Sequence, residues 1–228
     1  MKIGVICAMD SEFRQLAGRM AERTESSDGL FTYTHGRIGR NEVVLMQCGI
    51  GKVNAAAGTL RLTDRHRPHC VLSTGVAGGI DPCLGVADMV AGSRTVYHDV
   101  WCGEGNAYGQ VQGLPAQYEA DRRLLELALS LDGPEHRVHG GLICTGDRFI
   151  TDRAGLDAIK GKFPEGLAVD MESAAIAQVC HLCRVPFLSL RVISDTPGAD
   201  NHAAQYAGFW ETLAGRSFDT TWRFLELI

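Results

Sequence analysis

The sequence predicts an α/β fold on three observations. Apolar, β-branched runs alternate with helical patterns, glycine-rich turns follow two of those runs, and no linker or repeat interrupts the series. With 228 residues, 45% of them hydrophobic, the chain can bury a substantial core as one domain, residues 1–228.

Taken in order, Lys2–Cys7 is an apolar first strand, and Ser11–Arg23 is expected to be a helix because Phe13, Leu16, Ala17 and Met20 recur at helical spacing. Phe31–Cys48 has the pattern of a hairpin. Val53–Arg65 is a second helix, with Arg61, Arg65, His66, Arg67 and His69 gathered at its end, where cations meet the negative pole of the dipole. Cys70–Thr74 is a short apolar strand. Further strands are expected at Asp88–Tyr97, Gly140–Thr145, Leu167–Met171 and Pro186–Ile193, and helices at Asp121–Ser130, Asp152–Lys160 and Ser173–Leu182. One last helix is expected over about Ala203–Leu227. Its Phe209, Leu213, Trp222, Leu225 and Ile228 form a stripe suited to a core or a partner. The connection Tyr97–Tyr118, rich in glycine and aromatics, suits a lid, a subunit contact or a plain surface loop.

Composition excludes several classes. The net charge of −5 is scattered and forms no basic stripe, so no nucleic-acid partner is expected. No apolar stretch reaches the roughly 20 residues that span a bilayer, so no membrane role is expected either. The start Met1–Ala8 lacks a leader-like apolar core and cleavage site, which makes a cytoplasmic protein the expectation. Of eight cysteines only Cys180 and Cys183 are close, with His181 between them. They lie in a helical apolar pattern and lack a second ligand pair, so buried thiols are expected and neither a metal nor a cofactor.

Chemistry concentrates in carboxylates. Glu172 closes a small apolar run and opens an Ala-rich helix, and Asp195 ends a β-branched run before Thr196-Pro197-Gly198. Strand ends are where α/β sheets keep their chemistry. Capping a helix or starting a turn would explain either acid alone, but Glu12 adds a third. Gly49-Ile50-Gly51-Lys52-Val53 and Thr74-Gly75-Val76-Ala77-Gly78-Gly79 both bring backbone amides to a strand end, where an anion or ribose oxygen can approach. Neither has the spacing of a nucleotide fingerprint.

In sequence order, Ala8-Met9-Asp10-Ser11-Glu12, the two glycine turns, Tyr97-His98-Asp99, Thr145-Gly146-Asp147-Arg148-Phe149-Ile150, Val169-Asp170-Met171-Glu172 and Arg191-Val192-Ile193-Ser194-Asp195 resemble the nucleoside phosphorylase/hydrolase superfamily. Within it the chain is most similar to bacterial 5′-methylthioadenosine/S-adenosylhomocysteine nucleosidases, closely except over the last 25 or so residues. The resemblance implies a three-layer α/β/α sandwich around a mixed, partly barrel-like sheet, and a homodimer with sites near the subunit interface. It also implies cleavage of the N-glycosidic bond of 5′-substituted adenosines. Asp195 would protonate adenine N7, Glu172 would hold the ribose hydroxyls, Glu12 would activate water, and Arg191 would steer that water or Glu12. Phe149 would stack on adenine and Ile150 would read its edge. Met171 would lie under the ribose, Met9 and Ile50 would line the 5′ side, and Val76, Ala77 and Gly78 would border the substrate. Tyr206 or Phe209 would supply an aromatic over the 5′ group.

Two departures stand out. Val76 replaces the small hydroxyl residue usual at its position, and Val100–Gly113 lacks the usual apolar pattern around the 5′ pocket. Two rivals remain open here: a phosphorylase, in which phosphate replaces water and demands cationic partners, and a non-catalytic nucleoside-binding protein.

Overall fold

The computed structural model describes residues 1–133, 137–196, 199, 201–213 and 218–228. Ten strands form one mixed sheet: β1 (Lys2–Cys7), β2 (Ala21–Ser27), β3 (Thr32–Ile38), β4 (Asn41–Gln47), β5 (Cys70–Gly79), β6 (Met89–Tyr97), β7 (Tyr118–Glu119), β8 (Val138–Thr145), β9 (Gly166–Asp170) and β10 (Phe187–Asp195). The helices are α1 (Asp10–Ala17), α2 (Lys52–His66), α3 (Arg122–Leu129), α4 (Arg153–Lys162), α5 (Ser173–Cys183), α6 (His202–Gly208) and α7 (Asp219–Leu227). They cover both faces of the sheet, as a three-layer α/β/α sandwich requires. On one face Ile3, Val5, Leu72, Leu188 and Leu190 pack with Leu16 of α1, Leu124 of α3 and Phe224 of α7. On the other, Ile6, Val44, Met46 and Val71 pack with Ala55 and Leu62 of α2 and Ile176 of α5. Successive residues of β1 thus feed opposite layers, the period-2 rule of a strand buried on both sides.

The sheet is both open and closed. Strand order runs β10-β6-β8-β9-β5-β1-β4-β3-β2, and β10 also pairs with β5. That extra pairing bends β5, β10, β6, β8 and β9 into a small ring. Ala77, Val90, Ile143, Ala168 and Ile193 cluster together as an apolar core contributed by its five strands.

Three sequence expectations change. The helix expected over Ser11–Arg23 stops at Ala17, and Ala21–Ser27 is instead edge strand β2, paired antiparallel with β3. Gly18 and the polar run after Met20 end the apolar period, and the hairpin edge captures the chain. The strand begun at Cys70 does not end at Thr74 but runs through the glycine motif to Gly79, because β10 pairs with it residue by residue. The single terminal helix is broken: α6 passes into a π-helical turn, Phe209–Leu213, before α7. Residues 214–217 of the expected helix, and 197–198 of the turn expected after Asp195, lie outside the described residues. Among the cysteines, Cys7, Cys48, Cys70, Cys144 and Cys180 are buried, but Cys83, Cys102 and Cys183 are exposed, and all eight are free thiols. Among the described residues no group of three His, Cys, Asp or Glu side chains could hold a metal ion, and no helix is long and apolar enough to cross a membrane.

Candidate active site

The glycine motif at the end of β5 brings the two strand-end acids together. Gly78 is paired with Asp195 of β10 on one side and with Val169 of β9 on the other. Asp195 and the Asp170-Met171-Glu172 turn therefore meet at one spot, although twenty-two residues and a whole helix separate them in the chain. A side chain at Gly79 would press on Ile193 at 3.0 Å, so close strand packing explains that glycine.

Beside this junction lies a cavity of about 120 Å³, open at its mouth. Glu12, Glu172, Asp195, Met9, Ile50, Val76, Ala77, Gly78, Phe149, Ile150 and Met171 line it, together with Ala8, Arg148, Val169, Asp170, Ser194 and Tyr206. Two of the residues the sequence singled out are elsewhere. Arg191 sits behind the wall, fully buried, and Phe209 is a core residue of the sheet face. Tyr206 is the aromatic that reaches the cavity; its hydroxyl meets Met9 Sδ at 3.9 Å and its ring meets Phe149 edge-on at 5.7 Å. Trp101 does not line the cavity; it stacks on Tyr108, centroids 6.0 Å apart, and is exposed.

Glu12 is held at both oxygens. Oε2 accepts from the amides of Ala8 and Met9, both at 3.0 Å, and Oε1 accepts from the amide of Val76 at 2.9 Å. The first pair is ordinary helix capping, but the bond to β5 is not. It also shows why the loss of a hydroxyl at position 76 leaves Glu12 anchored: the backbone does the holding. Gly75 clears the space. A Cβ there would collide with Glu12 Oε1 and come within 2.7 Å of an Arg191 guanidinium nitrogen. Burial pushes the Glu12 pKa up, while Arg191 and the three amides pull it back. The result is a carboxylate more basic than usual whose ionised form is still well solvated by the protein.

Arg191 is the charge anchor beneath the floor. Its Nε donates to Asp170 Oδ2 at 2.7 Å, one Nη donates to Ser73 Oγ at 2.9 Å, and Glu172 Oε2 lies 3.9 Å from the same group. Asp170 also accepts from Thr145 Oγ1 at 2.6 Å and from the Ser173 hydroxyl, which in turn contacts Ser189. Such a buried charge is tolerable only when its hydrogen bonds are satisfied. The sequence motifs contain Asp170 and Thr145 but give no role to them or to the rest of this hydroxyl shell. The available signal was Ser73, Thr145 and Ser189, polar residues interrupting runs that become fully buried strands.

Glu172 stands at the start of α5 without capping it; its Oε1 accepts from the Gly51 amide at 2.9 Å. The Gly49–Gly51 turn is itself tied down, since the Lys52 amide donates to Asp147 Oδ1 at 2.8 Å and Lys52 Nζ reaches Asp99 at 2.7 Å. Burial first and Asp170 second raise the Glu172 pKa to about 7. A carboxyl that binds its proton more tightly when folded makes the fold most stable below the unfolded pKa, and stability falls as pH rises from about 4.5 to about 7. Glu172→Gln removes that titration. It is therefore expected to melt above the wild type at about pH 8, by on the order of 2–3 kcal/mol, and to lose the advantage near pH 5. Thermal melts of both proteins at the two pH values check this, and a variant less stable than wild type at pH 8 contradicts it.

Asp195 is buried at the end of β10. Oδ1 accepts from Ser194 Oγ at 2.5 Å, and Oδ2 faces His202 Nε2 at 2.8 Å. Burial raises its pKa, with Ser194 and His202 opposing. A carboxyl whose surroundings favour its protonated form can act as a donor.

Residues 2–226 match the family model described as the phosphorylase superfamily. The chain is 43% identical over 233 residues to a 5′-methylthioadenosine/S-adenosylhomocysteine nucleosidase of Geobacillus thermodenitrificans, covering 100% of this chain and 98% of that one. Among solved structures, the nucleosidase of the same description from Neisseria meningitidis, in complex with methylthio-immucillin-A, superposes with TM-score 0.93 at 36% identity, over 100% of this chain and 99% of that one. A third, from Colwellia psychrerythraea in complex with adenine, has TM-score 0.92 at 35% identity, over 99% and 94%.

Proposed function

Because the chain belongs to the phosphorylase superfamily, we propose that its cavity hydrolyses the N-glycosidic bond of 5′-substituted adenosines, releasing adenine and the 5′-substituted ribose. The observation that carries this is the charge at the cavity: Glu12, Asp170, Glu172 and Asp195 line it, against Arg148 alone among the described lining cations. Phosphate would meet four carboxyls there, and Arg191 is already committed to Asp170 and Ser73. Water is the attacking group such a site can accept. The relatives' names and the adenine and methylthio analogues bound in their structures support the same reading.

The chemistry follows from the placement. Asp195, whose burial favours the protonated form, gives its proton to adenine N7 as the bond to C1′ stretches. Glu172 accepts the ribose hydroxyls and, once they donate to it, is ionised and faces the growing positive charge on the sugar. Glu12 takes the proton of the water that attacks the opposite ring face. Arg191 holds Asp170 and lies close to Glu12, so its part is to fix the carboxylates rather than to touch water. Phe149 stacks on the base, Ile150 reads its edge through the backbone, and Met171 lies under the ribose. Val76, Ala77 and Gly78 border the sugar, and Met9, Ile50 and Tyr206 surround the 5′ group.

We read residues 1–228 as one domain, supported by a sheet that takes strands from both ends of the chain. A homodimer is supported by exposed Ile50, Val53, Leu60, Trp101 and Leu182. The 5′ end of the cavity lacks a wall from this chain's own Val100–Gly113 loop, and a second copy would supply one. We place the protein in the cytoplasm, in nucleoside catabolism and methionine salvage, since the sulfur-bearing ribose is its product.

The test is a panel of specificity constants for 5′-methylthioadenosine, S-adenosylhomocysteine, 5′-deoxyadenosine, adenosine, inosine and AMP in phosphate-free buffer. 5′-Methylthioadenosine should exceed inosine and AMP by on the order of a hundredfold or more. The hypoxanthine edge leaves a backbone carbonyl unpaired, and a 5′-phosphate would be desolvated against Met9 and Ile50. If inosine or AMP leads, the base edge or the pocket polarity is misassigned. Turnover only when phosphate is added would mean phosphorolysis.

A further inference from the structure

The acid at the end of β10 has a neighbour that the reaction described above does not use. His202 opens α6 and is nine-tenths buried, with Nε2 2.8 Å from Asp195 Oδ2. The contact has ion-pair distance without hydrogen-bond alignment, and among the described residues Nε2 has no other partner. Two further contacts fix the ring. Gln205 of α6 accepts from the Thr196 amide at 2.9 Å, pinning α6 to the end of β10, and the imidazole packs 6.0 Å from Phe149.

From this geometry we infer that His202 is the positioning residue of Asp195, orienting its carboxyl and returning its proton after each turnover. The inference rests on the nucleosidase reading. Asp195 is 2% exposed and has just two polar partners among the described residues. Ser194 can orient it but cannot carry a charge, whereas imidazole is the side chain whose charge changes near neutral pH.

The proton count closes. During cleavage the Asp195 O–H bond breaks as adenine gains that proton, the C1′–N9 bond breaks, and water adds to C1′ while its proton passes to Glu12. To reset, His202 takes a proton from solvent and passes it to the Asp195 carboxylate, while Glu12 releases its own to solvent, so the pair again holds one proton. No oxidant or second substrate is needed. The other titratable groups around the cavity among the described residues are Arg148 from the loop after β8, Tyr206 on α6, Glu12 on α1, Asp170 at the end of β9 and Glu172 after it. Tyr206 is turned to Met9, Glu12 to backbone amides, and Asp170 to Arg191. None of them bonds to either member of the pair.

A charged His202 favours the ionised Asp195, but the last proton of the pair can rest on either member and is therefore held to higher pH than by the carboxyl alone. Steady-state adenine release should therefore be compared for wild type, His202→Gln and His202→Ala from about pH 5.5 to 9. The expected result is a basic limb of kcat moved to lower pH in both variants. Turnover should fall by about tenfold or more near pH 8 and by less than about threefold near pH 5.5, with KM little changed. Added imidazole should restore His202→Ala at pH 8 but not raise wild type. An equal loss at every pH, or an unchanged profile in the Gln variant, overturns the inference and leaves the nucleosidase reading standing. A wild-type protein that releases no adenine at any pH overturns both.

Discussion

Asp195→Asn should lower kcat for 5′-methylthioadenosine by two to four decades while leaving the affinity for adenine or an unreactive analogue nearly intact. The asparagine can occupy the same site at the end of β10 and can still offer a hydrogen bond to N7. It has no proton to transfer, so adenine must depart carrying negative charge. The penalty falls on the transition state and not on binding, which is why turnover and affinity should separate. Ser194 Oγ, 2.5 Å from Oδ1, can keep donating to the amide oxygen, so the fold around the residue is preserved. Single-turnover adenine release paired with calorimetric titration of adenine measures both quantities. Near-normal turnover would remove Asp195 from the mechanism.

Glu12→Gln carries the second large effect, a fall of about three decades or more in hydrolysis with ligand binding retained. An amide cannot take the water's proton. It also cannot satisfy its surroundings, because Glu12 accepts three backbone amides through two oxygens. A glutamine has one oxygen for these donors and must turn its own N–H₂ toward the rest, a cost of about 1–3 kcal/mol in stability. The variant should therefore lose both turnover and several degrees of melting temperature. Full activity would reduce Glu12 to a helix cap. In the wild type the two acids give kcat a bell-shaped pH profile, the acid limb from protonation of Glu12 and the basic limb from loss of the Asp195 proton.

How far these residues were legible in the sequence depended on whether their signal was local. The first strand, the hairpin and the central helices follow from periodicity, since each buries a face defined within its own few residues. Glu172 and Asp195 were visible because each ends an apolar run. The closed ring was not visible from periodicity. It depends on β10 pairing at once with β5 and β6, a long-range choice that leaves no local mark. The same blindness affected Ala21–Ser27, where a strand wins through its neighbour β3 and not through its own composition, all of it being exposed or nearly so. Asp170 was quoted as part of a motif but given no role, because its importance lies in Arg191 and Ser173, which only the folded chain brings to it. His202 was missed for the same reason: six residues separate it in the chain from the acid it faces.

The ring of five strands also has a kinetic meaning. Its closing seam joins Val71–Gly78 to Phe187–Asp195, segments synthesised far apart, and loop-closure entropy delays such pairings relative to local hairpins and helices. Gly78 cannot bring Asp195 beside the Asp170–Glu172 turn until that seam has zipped. Enzymatic activity should consequently be among the last properties regained on refolding, trailing the recovery of helical signal, and a nascent chain still lacking β10 can hold most of its secondary structure while remaining inert toward its substrate.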